Sequence, residues 1–142
     1  MQSESISNLA KALSIVQGKL TYAVKDSANP FFKSKYADLE SVWDACRSLL
    51  AENNLCVMQF PGEFFDGCMS LNTILSHASG EWIGQEMSVP VTKADAQGAG
   101  SALTYMRRYA LAAVVGVVQA DDDGNAASNP TSKPAVVKPK EI

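Results

Sequence analysis

Apolar residues recur at helical spacing in two segments near the start of the chain. In residues 6–20 they follow one another every three or four positions, which predicts an amphipathic helix capped by Ser5 or Ser7. A second apolar stripe follows Asp38, a favourable N-cap residue, and stops near Asn53. The two patterns predict two helices that each bury one side.

The period of the pattern changes from about 3.6 to about 2 beyond these helices. Three runs of alternating residues follow, at positions 55–60, 69–76 and 82–91. Pro61 is expected to end the first run, and turn-forming pairs that contain Gly67 and Gly80 separate the three. Three consecutive strands joined by short turns predict an antiparallel meander.

The last regular element is a long helix over residues 97–115. Its apolar face is expected to pack across the sheet and consists of Leu103, Met106, Ala110, Ala113 and Val114. The expected fold class is therefore α+β, with a three-stranded antiparallel β-meander packed on helices that include this long C-terminal helix. Helices should cover one face of the sheet.

Beyond Gly124 the chain loses its periodicity and is rich in Ala, Ser, Pro and Lys. We therefore expect residues 1–123 to form the folded domain and residues 124–142 to form a flexible tail. A length of 142 residues allows one domain and excludes an enzyme with a cleft between two domains.

Composition excludes several classes of protein. Apolar residues make up 46% of the chain and charged residues 19%, which argues against wholesale disorder. No segment has the length and apolar character of a membrane span, and the N-terminus lacks the features of a secretory signal, so a cytoplasmic protein without a membrane partner is expected. Three cysteines without a CxxC pair, and the single His77, predict buried thiols and no metal site.

The net charge of −3 conceals an uneven distribution of charge along the chain. Residues 1–36 carry five lysines against two acids, and residues 93–120 carry three basic residues against one acid. Residues 37–92 carry eight acids against a single arginine. A local basic surface can therefore form in a protein that is acidic overall, which keeps nucleic acid among the candidate partners.

Candidate nucleic-acid contacts cluster on the predicted long helix. Hydroxyl, phenol and guanidinium groups leave this helix on the side away from Leu103 and Met106, and they belong to Ser101, Thr104, Tyr105, Arg107 and Arg108. Guanidinium groups bind phosphate oxygens bidentately, and an aromatic ring stacks on a base. The alternative is a solvated or salt-bridged helix face, which is a common use of an arginine pair.

Small residues open the same helix. In the run from Gln97 to Ser101, two glycines flank an alanine, which would let a phosphate approach the free backbone N–H groups of the first turn. The run is neither a Walker loop nor a dinucleotide-binding fingerprint. The alternative is close packing of the helix start against the sheet. Lys93, just before the helix, is a further candidate for phosphate contact.

A second basic and aromatic segment lies in the loop of residues 25–37, between the first two predicted helices. Lys33, Lys35 and Tyr36 stand next to two phenylalanines, a pattern typical of grooves that bind single-stranded nucleic acid. The alternative is that the phenylalanines anchor the loop in the core and the lysines are merely solvated. Both hold together if the rings point inward and the lysines outward.

The acidic run of residues 121–123 is the cluster that a metal-dependent nuclease would use. Three consecutive side chains cannot all converge on one ion within a regular element, so we favour a solvated acidic turn. The sequence also lacks a defensible pairing of nucleophile, base and acid. We therefore expect a binding protein rather than an enzyme, without catalytic residues, cofactor or metal.

Three segments resemble the ERF superfamily of phage single-strand annealing proteins: KYADLESVWDACRSLLAENNLCVMQ, LNTILSHASGEW and QGAGSALTYMRRYALAAVVGVVQADDDGNA. The block GSALTYMRRYAL is the most specific, and together the segments cover most of residues 30–127. The resemblance implies single-stranded DNA binding, ATP-independent pairing of complementary strands in homologous recombination, and assembly into a ring or helical filament. It also implies a fold similar to that of the phage Red beta annealing protein.

With this resemblance, the expected DNA contacts are Lys33, Lys35, Tyr36, Lys93, Gln97, Ser101, Thr104, Tyr105, Arg107 and Arg108. The expected partners are single-stranded DNA, the annealed duplex intermediate and further copies of the chain, in the host cytoplasm if a phage encodes the protein. The chain ends about 18 residues after Gly124, which leaves recruitment of a host single-strand binding protein doubtful. The alternative function is a passive, protective single-stranded DNA-binding protein that does not anneal.

Overall fold

The computed structural model describes residues 1–23 and 38–119 of the chain. The elements follow in the order α1 (Ser7–Lys19), α2 (Leu39–Glu52), β1 (Leu55–Phe65), β2 (Cys68–His77), β3 (Trp82–Pro90) and α3 (Ala96–Val115). The strands form one antiparallel sheet in the order β1-β2-β3. The predicted α+β class and the β-meander are confirmed, whereas the tail of residues 124–142 lies outside the described residues.

Strand β1 runs farther than the sequence indicates. It continues past Pro61 to Phe65, with a shift of register between Pro61 and Phe64. The expected end of the strand at Pro61 was wrong because β1 is an edge strand. A proline lacks the N–H group of the sheet ladder, which is tolerated on an edge strand or at a bulge. The turn to β2 uses Asp66 and Gly67, both at positive φ (51° and 72°).

Helices α1, α2 and α3 pack on one face of the sheet. Val57, Leu75 and Ile83 stand side by side on that face, across the three strands, and contact the core. The core contains buried side chains from every helix, among them Leu9, Val16, Val42, Leu50, Leu111 and Val115. Met58 and Phe60, which point to the other face, are 38% and 49% exposed. The helix-covered and open faces of the sheet are therefore distinct.

Helix α3 uses different sides for its contacts in its two halves. Met106 is fully buried, as predicted, but Ala113 is exposed. The buried side chains in the second half of α3 are those of Leu111, Ala112 and Val115. The prediction that Ala113 packs on the sheet was wrong because a cavity lies between its side of α3 and β3. Leu111 and Val115, on another side of the helix, join the core that α1 and α2 share. One apolar stripe could not reveal this second contact.

The N-terminal caps of α1 and α2 differ in whether neighbouring residues in the sequence predict them. The predicted cap of α2 is confirmed, since Asp38 Oδ1 accepts a hydrogen bond of 2.8 Å from Ser41 N. The predicted N-cap of α1 at Ser5 or Ser7 was wrong, since Ile6 occupies the N-cap position and makes no side-chain bond. Ser5 Oγ does accept a hydrogen bond of 3.3 Å from Ser7 N, the first residue of the helix. The next backbone N–H, of Asn8, donates to the carboxylate of Glu81, which precedes β3, at 3.1 Å.

Glu81 ties α1 to the β2–β3 turn. Its other carboxylate oxygen accepts a hydrogen bond of 2.7 Å from Ser79 Oγ. The bond from Ser79, supported by Asn8, lowers the pKa of the Glu81 carboxyl, although desolvation opposes the shift. Residues 1–3 lie alongside β3, where Gln2 forms an isolated antiparallel β-bridge with Ile83. The start of the chain and the sheet are therefore joined through this turn.

The three cysteines differ in environment. Cys46 is buried, as predicted, and donates to Val42 O at 3.3 Å; burial raises its pKa to about 11. Cys56 is exposed and Cys68 half-buried, so the prediction of three buried thiols was wrong for both. An alternating strand places every second side chain on the open face, which a short apolar run does not reveal. None of the helices within residues 1–23 and 38–119 has the length and apolar character that a bilayer crossing requires.

Replacing Glu81 with Gln should reduce the loss of stability in acid. The pKa of an unfolded glutamate is about 4.3, and the folded pKa of Glu81 is lower, so the stabilisation is present above the unfolded pKa and is lost as pH falls through the folded one. The melting temperature should therefore fall less for Glu81→Gln than for the wild type between about pH 6 and about pH 3. Glu52→Gln, at the exposed end of α2, is the matched control. Equal acid sensitivity of Glu81→Gln and the wild type would contradict this role.

Candidate nucleic-acid interface

A cavity of about 530 Å³ opens between the end of β3 and the first turns of α3. Four of the sequence-predicted site residues line it, namely Lys93, Gln97, Ser101 and Tyr105. Val89, Pro90 and Val91 form its sheet side. An apolar wall therefore faces a row of amide, hydroxyl, phenol and ammonium groups, which suits a ligand with both polar and flat apolar parts.

The start of α3 fixes the geometry of this cavity. Asp95 caps the helix, and its Oδ1 accepts a hydrogen bond of 2.7 Å from Gly98 N. The N–H group of Ala99 donates to Asp95 O at 3.0 Å, which is the first hydrogen bond along the helix. Because α3 begins five residues after Val91, the short connection holds Lys93 beside the first helical turn.

The two glycines at the start of α3 have different surroundings. A Cβ atom at Gly98 would collide with the carbonyl group of Lys93, whereas a Cβ at Gly100 would have no atom within 4 Å. Gly98 therefore serves close packing between the helix and the preceding connection, whereas the packing alternative for this run expected the sheet as the partner. The missing side chain also lets the Lys93 backbone approach the helix.

Gln97, Ser101 and Tyr105 follow one another at intervals of four residues, so they share the flank of α3 that borders the cavity. Tyr105 is 47% exposed and lies against Tyr109, with ring centroids 4.5 Å apart and planes inclined at 45°. The guanidinium carbon of Arg108 lies 4.9 Å from the centroid of the Tyr109 ring. Arg108 is half-buried in this arrangement.

Thr104 and Arg107 leave the helix on another flank, since neighbouring residues differ by about 100° in direction. Neither lines the cavity described above. The Thr104 hydroxyl donates to Gly100 O within the helix at 3.0 Å, and the Arg107 side chain is exposed. The Arg107 carbonyl accepts a bond of 3.1 Å from Gln59 Nε2, which attaches this turn of α3 to β1. The adjacent arginines thus have different environments.

The remaining predicted contacts, Lys33, Lys35 and Tyr36, lie outside the described residues, as does the acidic run at positions 121–123. Within residues 1–23 and 38–119, no group of three or more His, Cys, Asp or Glu side chains is placed to hold a metal ion.

Two features beside this site were not predicted from the sequence. Tyr109 was not among the predicted contacts, although it follows Tyr105 at the four-residue spacing that brings helical side chains together. A second cavity, of about 740 Å³, lies between β3 and the later turns of α3, and its largely apolar lining includes Ile83, Met87 and Ala113. The sequence signal for this second cavity is the small side chains, such as that of Ala113, which α3 places opposite β3.

Together, the fold and the cavity define an α+β domain in which α3 presents amide, hydroxyl and phenol groups along a groove beside the sheet edge, with Lys93 just before the helix. A family model described as the ERF superfamily matches residues 9–141, which is nearly the whole chain. The chain therefore belongs to the ERF superfamily, whose members act in phage single-strand annealing and recombination. No curated protein and no solved structure gives a significant match. Similarity to the Red beta fold stays a prediction.

Alanine at the two helix glycines should have opposite effects. Gly98→Ala forces the Lys93 backbone away from α3 and should cost roughly 1–3 kcal/mol of unfolding free energy. Gly100→Ala, the matched control, adds a methyl group in open space and should stabilise by roughly 0.5–1 kcal/mol through helix propensity. Chemical denaturation measures both, and an equal response of the two variants would exclude the close approach at Gly98.

Proposed function

We propose that this protein binds single-stranded DNA and anneals complementary strands during homologous recombination, without ATP and without a catalytic centre. The observation that supports this most directly is the clustering of four predicted contacts around one cavity at the start of α3, in a chain that belongs to an annealing family. The proposed partners are single-stranded DNA, the annealed duplex intermediate and further copies of the chain, in the host cytoplasm.

Phosphate contacts are assigned to basic residues on both flanks of α3. Lys93 borders the cavity and Arg107 is exposed, so both side chains can reach a backbone that follows the helix. Gln97 and Ser101 supply uncharged hydrogen-bonding groups between them. Lys33, Lys35 and Tyr36 are proposed to extend the same surface.

The charge distribution of the described residues supports this orientation. In residues 93–119, Lys93 and two arginines stand against Asp95 as the single acid, whereas residues 38–92 hold eight acids and Arg47. Phosphates are attracted to the first region and repelled by the second, which favours a strand along α3 over one along α2. In a ring or filament, the acidic region would face basic surface on the adjacent copy, and the α3 surfaces would form a continuous track.

Annealing itself is measured with two complementary fluorescent oligonucleotides at modest salt, without nucleotide. The protein should accelerate their pairing and leave a noncomplementary pair single-stranded. Binding without acceleration would contradict annealing and indicate the protective coat protein. Strand fragments in the presence of Mg²⁺ would contradict the proposal of a protein without a catalytic centre.

The proposed phosphate contacts are tested by salt dependence. Replacing Lys93 and Arg107 together with Ala should weaken binding and reduce the slope of log affinity against log salt by about 0.7 for each lost contact. The matched control is Lys19→Ala, which removes an exposed charge at the end of α1, away from the cavity. An unchanged slope in the double variant, with the fold intact, would place the DNA elsewhere.

A further inference from the structure

Tyr105, Tyr109 and Arg108 form a connected stack on the flank of α3. The two rings are in contact, with a centroid distance of 4.5 Å and an inclination of 45°. The Arg108 guanidinium carbon lies 4.9 Å from the Tyr109 centroid, within the range of a cation–π contact. The order of contact is therefore cation, inner ring and outer ring.

Exposure divides the stack into an inner and an outer part. Tyr105 is 47% exposed and lines the cavity beside Ser101. Tyr109 and Arg108 are both half-buried, and Tyr109 lines the second cavity, farther along α3. Of the three side chains, Tyr105 is the one that a ligand in the first cavity meets.

The contacts restrict how the outer ring can move. A tyrosine on an exposed helix flank normally samples several rotamers, and ordering it on binding costs free energy. Contact with Tyr109, which is itself packed by Arg108, limits those rotamers before a ligand arrives. A ring ordered in advance offers a flat apolar surface at low entropic cost, which suits stacking of a nucleobase.

We infer that Tyr105 stacks on an unpaired nucleobase and that Tyr109 and Arg108 are positioning residues that hold its ring. This inference rests on the proposed single-stranded DNA binding. Within that binding, Lys93 and Arg107 contact phosphates, whereas Tyr105 contacts a base. Arg108 therefore positions an aromatic ring while Arg107 contacts phosphate, although the sequence pattern predicts phosphate contacts for both arginines. Because bases in a duplex are already stacked on one another, the Tyr105 platform favours single strands.

The test compares two oligonucleotides of equal length, one of thymidines and one with abasic sites throughout, by fluorescence anisotropy over a range of salt. The wild type should bind the thymidine strand more tightly. Arg108→Gln, Tyr109→Leu and Tyr105→Leu should each weaken that binding at least about fivefold, the low end for a lost base stack, and leave abasic binding and the salt slope unchanged. Tyr109→Phe keeps the ring and should retain near wild-type affinity.

Arg107→Gln is the matched control for Arg108→Gln, because both remove one positive charge from the same turn of α3. It should weaken binding of both oligonucleotides alike and reduce the salt slope by about 0.7. If Arg108→Gln behaves in the same way, Arg108 is a phosphate ligand and the inference fails. Should that variant not fold, Tyr105→Leu, at an exposed position, decides the base contact.

Two outcomes in the wild type separate this inference from the function on which it rests. Equal affinity for the thymidine and abasic strands would overturn base stacking while leaving DNA binding intact. Absence of binding to either strand would overturn the proposed function itself. A loss of affinity in Tyr109→Phe as large as in Tyr109→Leu would also contradict the inference, because the phenyl ring retains the proposed contact.

Discussion

The packing of α3 across the sheet is the constraint on which the rest of the structure depends. Met106 is fully buried on this helix, and Leu111 and Val115 join the core that contains Leu75 of the central strand. A helix of 20 residues spans about 30 Å, so it can cover the sheet along its length while its first turns extend toward the end of β3. Once this packing is fixed, the remaining flank of α3 borders a groove, and the residues of that flank become the surface available to a ligand.

The same packing explains why two adjacent arginines can act differently. Successive helical residues point about 100° apart, so a helix that is covered on one side must present neighbours to different surroundings. Arg107 stays in solvent, while Arg108 meets the Tyr109 ring. The Gln59 side chain, which bonds to the Arg107 carbonyl and to Thr73 Oγ1, both at 3.1 Å, fixes the rotation of α3 relative to the sheet. Packing in the core and chemistry on the surface are therefore set by one helix orientation.

Much of the fold followed from short-range patterns, because the signals involved act within a few residues. Alternation gave the three strands, and the Asp38 cap acts on Ser41, three positions away. The cap of α1 was not predictable in this way, since Glu81 and Asn8 are 73 positions apart and meet only after the sheet forms. At the candidate site, helical spacing brought Gln97, Ser101 and Tyr105 to one flank, but spacing alone could not show that Arg108 turns toward Tyr109. That contact depends on side-chain rotamers, which the sequence does not encode locally.

Single-stranded DNA is proposed to lie along the groove beside α3, and photo-crosslinking can locate the bound strand. A single-stranded oligonucleotide carrying a photoreactive halogenated deoxyuridine would be bound, irradiated and digested with trypsin, and the modified peptides identified by mass spectrometry. If the strand lies along this groove, the adducts fall in the peptide of residues 94–107, with Tyr105 as the modified residue. Adducts confined to the open face of the sheet, at Phe60 or Trp82, with none on α3, would contradict it.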